Sequence, residues 1–143
     1  MPPQVCIRRA RREDAGNLPP VFHDEDLASW LGVYMRTMAS GQYDSILLAT
    51  TENGIVGLVL LLTEGLTWKA CFPGRTGGLA CLGVRQAYRN QGIGRALAAA
   101  ATRQLKRQGM DTSYVGWTWL ENWYGALGYR VWRRFHMMSK RLG

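Results

Sequence analysis

Arg89-Asn90-Gln91-Gly92-Ile93-Gly94-Arg95 sets two glycines close together, between a strand-like apolar segment (Leu79 to Val84) and a helical one (Ile93 to Gln108). The first N–H groups of a helix have no carbonyl partner within it, and the aligned peptide dipoles add partial positive charge at that end. Amides converging there make a socket for phosphate oxygens. Lacking a Cβ, Gly92 and Gly94 let a ligand come close to the backbone. Arg89 and Arg95 can add charge-assisted contacts. The expectation is a site for a phosphorylated cofactor; a glycine-containing turn before a surface helix is the bland alternative.

A dinucleotide fingerprint needs a small residue at its last position, where this chain has Leu97. A P-loop needs Gly-Lys-Ser/Thr, which is absent. The remaining pattern, R-x-x-G-x-G from Arg89 to Gly94, resembles the acetyl-CoA pyrophosphate loop of the GNAT superfamily of N-acyltransferases, Q/R-x-x-G-x-G/A. Downstream, Tyr124-Gly125-Ala126-Leu127-Gly128-Tyr129 is similar to that family's second signature, Tyr-x-x-x-Gly-Phe, with Tyr129 in the Phe position. The order of strands and helices also follows the family, so the resemblance covers nearly the whole chain.

The resemblance implies acetyl-CoA as co-substrate and direct attack by a primary amine, of a small molecule or peptide, on the thioester carbonyl. It places the pyrophosphate on the N–H groups of Asn90, Gln91, Gly92, Ile93, Gly94 and Arg95. The pantetheine arm would pair with the strand edge at Leu82, Gly83 and Val84, as a peptide adds to a sheet. The Leu82 N–H would stabilise negative charge developing on the thioester oxygen. Gly83 is the expected site of a bulge that splays this strand from the next. Tyr124 would bind the sulfur and protonate the departing thiolate; a packing role is the alternative for any one tyrosine.

Two departures from the family pattern stand out. Many members carry a Glu as general base on the strand before the phosphate loop; here that place is Gly78, and no acid lies between Gly77 and Val84. Glu64, Asp111, Glu121, a water chain, or an acceptor of low amine pKa could take its place, and the sequence does not choose among them. The family's Asn seven residues before the Tyr is Trp117 here. Asn122 lies nearby on another helical face, so the role is not transferred. Trp117, Trp119, Trp123 and Trp132 would either wall an acceptor pocket, where rings also attract cations, or fill a Trp-rich core. The missing Glu keeps open a second reading, a catalytically weak acyl-CoA-binding module.

These groups must be positioned by a mixed α/β fold: a twisted, mostly antiparallel sheet flanked by helices on both faces, formed by residues 1–143 as one domain. Val5 and Ile7 open a first strand. Asp14 starts a short helical stretch that Pro19-Pro20 stops. Asp24 to Met38 reads as a helix, with Leu27, Leu31, Tyr34 or Met35, and Met38 on one face. Asp24-Glu25-Asp26 suit its first turn, with a patch for a cationic amine as the other reading. Ser45 to Thr51 and Ile55 to Leu62 form a hairpin around Asn53-Gly54. A loop from Thr63 to Thr76 follows, then the strand Gly77 to Val84. Helix Ile93 to Gln108 buries Ile93, Leu97, Ala101 and Leu105, and Gly109 ends it. Thr112 to Trp117 is a strand, Leu120 to Leu127 a short helix, and Tyr129 to Ser139 a final strand or strand pair through which a homodimer could form.

Composition narrows the remaining classes. No apolar run approaches the roughly 20 residues of a membrane span, and Met1 to Cys6 has no signal-peptide pattern. Cys6, Cys71 and Cys81 lack C-x-x-C spacing, and His23 and His136 lie far apart, so no metal site is expected. A reducing cytoplasm suits three free thiols. Cys81 reads as a buried sheet residue rather than a ping-pong nucleophile. The net charge of +8 is spread over several groups and suits a solvated face, with help in capturing CoA as the functional reading. An RNA-binding role is disfavoured, because the aromatics are not interleaved with Arg.

Overall fold

The structure is a computed structural model and describes residues 4–66, 71–116, 118 and 120–143. Five strands form one sheet: β1 (Cys6–Arg9), β2 (Ile46–Thr51), β3 (Gly54–Leu62), β4 (Thr76–Val84) and β5 (Thr112–Val115), in sequential order. The first four pair antiparallel, and β5 joins β4 in parallel. That parallel pair requires a crossover, supplied by helix α2 (Ile93–Arg107). The expected mixed, mostly antiparallel sheet with helices on both faces is therefore what forms.

The hairpin arises where Asn53-Gly54 calls for it: Gly54 has φ +100°, and the Thr51 hydroxyl accepts from the Asn53 N–H at 3.0 Å. The α2 stripe buries as its spacing requires, with Ile93, Leu97, Ala101 and Leu105 packed on Val56, Val59, Leu61 and Leu79. Gly109, at φ +88°, ends the helix. Its N–H bonds the Lys106 carbonyl at 3.0 Å, and the Met110 N–H the Leu105 carbonyl at 3.1 Å.

The opposite face is covered by residues 12–39, and here the structure departs from the sequence reading. Pro19-Pro20 open a second 3-10 turn (Pro19–His23) instead of ending the first, since proline at the first helical positions needs no N–H partner. The helix expected from Asp24 begins only at Leu31, as α1 (Leu31–Ala39), after a 3-10 turn at Ala28–Trp30. Asp24 and Asp26 do not cap it, because their carboxylates reach across to Gln86 and Arg89. The apolar face survives the change: Leu27, Tyr34 and Met38 are buried against Ile46, Leu48, Leu58 and Leu60.

Tyr129 to Ser139 forms no strand. Tyr129, Val131, Phe135 and Met137 alternate as on one face of a strand, but Arg133 interrupts that face and Trp132 and Met138 fall on the other. Neither face of a strand would be uniformly apolar. Side chains hold the segment instead: Trp132 packs edge-on to Phe72 at 4.8 Å, and Arg134 pairs with Glu121 at 2.8 Å. β5 is thus an edge strand. No helix of the described residues is long and apolar enough to cross a membrane.

Candidate active site

Two features of β4 create an opening. Its parallel pairing with β5 runs from Thr76↔Thr112 to Leu79↔Val115 and stops, while β4 continues to Val84. Just past that point the β3 pairing jumps from Leu60↔Ala80 to Leu58↔Gly83. Cys81 and Leu82 together stand opposite Val59, which is a β-bulge. Cys81 adopts φ +52°, a left-handed conformation costly for a residue with a Cβ. The bulge expected at Gly83 therefore lies at Cys81 and Leu82. Gly83 is glycine for a different reason: a Cβ there would stand 2.7 Å from Leu27 and 3.1 Å from Trp30.

Beyond Val84 the chain makes a 3-10 turn (Gln86–Tyr88) and enters the glycine loop. Asn90 at φ +63° and Gly92 at φ +80° both take left-handed conformations. Left-handed residues alternating with ordinary ones turn successive N–H groups into a concave nest for anions. Ala96 is the first to donate to a helix-start carbonyl, that of Gly92, at 3.1 Å. The N–H groups of Ile93, Gly94 and Arg95 precede that bond, as the first donors of a helix do. A Cβ on Gly94 would meet Trp123 at 3.5 Å and Val84 at 3.6 Å, ordinary contact distances. The fold itself would tolerate alanine there.

The two arginines of the loop behave differently. Arg95 is exposed. Arg89 donates from Nε to the Val84 carbonyl at 2.9 Å and from its terminal nitrogen to Asp26 at 2.5 Å. Asp24 accepts the Gln86 N–H at 2.5 Å. Arg89 thus tethers the loop to residues 24–26, and the Val84 carbonyl is partly occupied by it. Sequence reasoning missed this link because Asp24 and Gln86 lie 62 positions apart.

Tyr124 lies on α3 (Glu121–Gly125) and is buried. Its ring meets Trp123 edge-on at 4.8 Å and Tyr129 at 5.7 Å. Burial, and then the neighbouring Tyr129, push its phenol up to about 12, so it is a protonated donor at neutral pH. The Tyr129 hydroxyl bridges Thr102 of α2 (2.9 Å) and Ser113 of β5 (2.8 Å). One apolar cluster contains Ile93, Leu97 and Tyr124, with Leu82, Val84, Trp123 and Tyr129 packed against it. The bulge, the helix start and the tyrosine are thereby gathered on one side of the sheet. Tyr124 also lines an open groove of about 1080 Å³, bounded by β5, Phe72, Trp132 and Arg134.

Candidate bases fare unequally. A Cβ on Gly78 would lie 2.6 Å from the Tyr114 carbonyl oxygen, so that position excludes any side chain, Glu included. Asp111 accepts the Arg75 N–H at 2.9 Å and holds a loop. Glu121 is clamped by Arg134, whose hydrogen bond and charge keep its carboxyl below the ordinary value. Glu64 is exposed. Asn122 is exposed too. Trp117 and Trp119 lie outside the described residues. Cys81 is half-buried, and burial pushes its thiol up, which disfavours the thiolate a nucleophile needs. Among the described residues no three His, Cys, Asp or Glu side chains gather as a metal site would require.

Comparison with known proteins agrees with this architecture. Residues 42–131 match the model of the acetyltransferase (GNAT) domain. No curated protein sequence matches the chain. Among solved structures, the chain is similar to the glucosamine N-acetyltransferase region of a fungal multi-domain GH3 β-N-acetylglucosaminidase, with TM-score 0.79 and 29% identity. That match covers 91% of this chain and 17% of the fungal chain, so the chain spans about a sixth of that relative. The glucosamine-6-phosphate N-acetyltransferase of Arabidopsis thaliana superposes with TM-score 0.67 at 14% identity, over 97% of this chain and 99% of the other. An aminoglycoside N-acetyltransferase in complex with CoA gives 0.69 at 17%, over 96% and 100%. With the match to the domain model spanning the hairpin, the bulged strand, the glycine loop and Tyr124, the chain belongs to the GNAT family of acetyltransferases and is an acyl-CoA-dependent acyltransferase.

Proposed function

We propose that this chain transfers an acetyl group from acetyl-CoA to the primary amine of an amino sugar or a related small amine. The observation that carries the reading is the conjunction at β4: a pairing with β5 that, among the described residues, ends at Leu79, a bulge at Cys81–Leu82, and a left-handed nest at Asn90–Gly92 before α2. The amino-sugar class is supported by the three relatives named above, which are described as acting on glucosamine, glucosamine-6-phosphate and aminoglycosides.

Bound acetyl-CoA supplies an activated acetyl carbonyl. The N–H groups from Asn90 to Arg95 hold its pyrophosphate, and the exposed Arg95 adds charge. Gly94 leaves room for that approach. Leu82 and the Val84 N–H offer backbone partners to the pantetheine arm, while Gly83 is paired with Leu58 of β3; Arg89 shapes the loop from within. The Leu82 N–H faces charge developing on the carbonyl oxygen. Tyr124 holds the sulfur and supplies the proton it takes when its bond to carbon breaks. Gly78 carries no side chain to accept the ammonium proton, so the exposed Glu64 or solvent takes it, or the acceptor arrives as the free amine. The three free cysteines fit a cytoplasmic setting.

The closed Gly78 position also favours a second reading, a module that binds acyl-CoA with little turnover. Thiol release from acetyl-CoA, measured with glucosamine, glucosamine-6-phosphate, an aminoglycoside and a peptide amine, separates the two. Turnover on an amino sugar above the peptide supports the proposal. Saturable acetyl-CoA binding without turnover on any amine selects the module.

A further inference from the structure

The Tyr34 hydroxyl donates a 2.6 Å hydrogen bond to the carbonyl oxygen of Cys81. Tyr34 is wholly buried in the cluster beneath the sheet, its ring tilted against Phe22 at 5.5 Å. Burial, and then the neighbouring Cys81, push its phenol well above the ordinary value, so it remains a donor. Cys81 is also the bulge residue with φ +52°.

A trans peptide is a rigid plane in which C=O and N–H point in opposite directions. The carbonyl of Cys81 and the N–H of Leu82 belong to the same plane. Anchoring the carbonyl oxygen on the α1 face directs the Leu82 N–H away from that face. Leu27 and Trp30, from the same stretch of chain, pack under Gly83 and close the floor on the other side of Leu82. The bulge releases Cys81 and Leu82 from regular one-to-one pairing with β3. A side chain must then fix what the ladder does not.

The geometry points to Tyr34 as a positioning residue: its buried hydroxyl holds the Cys81–Leu82 peptide in the orientation that presents the Leu82 amide to the acyl carbonyl. This rests on the reading of Leu82 as the oxyanion donor given above, and deepens it by naming what aims that donor.

Tyr34→Phe removes one oxygen and keeps the ring. The Leu82 amide proton is followed by NMR in complexes with CoA and with acetyl-CoA, which differ by the carbonyl. In the unaltered protein its resonance shifts between the two; in Tyr34→Phe that difference shrinks. With the most active amine of the panel, kcat falls roughly tenfold, part of what loss of an oxyanion donor costs, while KM for acetyl-CoA stays within about twofold. A merely structural role would lower the melting temperature and leave kcat and the Leu82 difference intact well below it, overturning the proposal. No acetyl-dependent shift of Leu82 in the unaltered protein would instead remove the oxyanion reading, and this inference with it.

Tyr34→Phe/Cys81→Gly completes the test and replaces the single variant should that be unstable. Glycine accepts the positive φ without strain, so it restores the melting temperature. The Leu82 difference and kcat stay low if the hydroxyl aims the peptide. Their full recovery would show that Tyr34 only relieves strain.

Discussion

Gly78 and Tyr114 are paired across β4 and β5, and a Cβ on Gly78 would lie 2.6 Å from the Tyr114 carbonyl oxygen. The position where many relatives of this fold are expected to carry a basic Glu is closed by backbone, which cannot move aside as a side chain can. Gly78→Ala and Gly78→Glu should each lose about 3 kcal/mol by crowding, read from denaturant midpoints, and Gly78→Glu should gain no activity. A stable, faster Gly78→Glu enzyme would show that the strand pair opens more readily than described.

Gly94→Ala separates the needs of the fold from those of the ligand. The added methyl sits at ordinary contact distance from Trp123 and Val84, and alanine in a helix is favoured by about 0.5 kcal/mol or more. Stability should hold or rise slightly. Acetyl-CoA affinity should fall roughly tenfold, about 1.4 kcal/mol. Unchanged affinity by calorimetry would mean the pyrophosphate does not approach this residue.

Tyr124 gives a kinetic and a pH signature. Its phenol, pushed up to about 12 by burial and Tyr129, stays protonated through the working range. The pH–rate profile should therefore show no descending limb from this group below about pH 11. Tyr124→Phe should lower kcat about a hundredfold with little change in acetyl-CoA affinity. Because the folded value lies above the ordinary one, the linked stability is complete below pH 10 and is lost as pH rises from 10 toward 12. A rate fall near pH 9 that vanishes in Tyr124→Phe would contradict this environment.

Asp14 ties the first strand to the turn that follows. It accepts both Arg8 terminal nitrogens at 2.8 Å and the Arg11 N–H at 2.7 Å, with only 7% of its side chain exposed. The Arg8 hydrogen bonds hold its carboxyl below the ordinary 3.8, against the cost of burial. That stabilisation is present above about pH 4 and is lost as pH falls through the lowered folded value. Asp14→Asn should cost about 2 kcal/mol at neutral pH and flatten the acid limb of the stability curve. An unchanged acid limb in urea titrations would assign it to other carboxylates.

What could be read from the chain beforehand was local. Asn53-Gly54, the Ile93–Leu105 stripe, Gly109 and the glycine loop each carry their own turn or helix chemistry within a few residues, and each formed where expected. The bulge was legible as an event but not in place, because its position depends on pairing with Leu58 and Leu60. The Asp24–Gln86 and Asp26–Arg89 links and the closure of Gly78 by Tyr114 join distant segments, and no local pattern encodes them. The late start of α1 has the same origin, since Asp24 and Asp26, which suit a helix's first turn, are engaged by Gln86 and Arg89. Pro19-Pro20, by contrast, open a turn because proline fits the first helical positions. The final segment, expected as a strand or strand pair, forms neither: Arg133 interrupts its apolar face, and side-chain contacts to Phe72 and Glu121 hold it instead.

The most direct test is an amide NMR titration with acetyl-CoA. The account expects the largest shifts at Leu82 to Val84 and Asn90 to Arg95, with a saturable, salt-weakened affinity. Shifts confined to the arginines of α2, or none in the glycine loop at saturation, would contradict it.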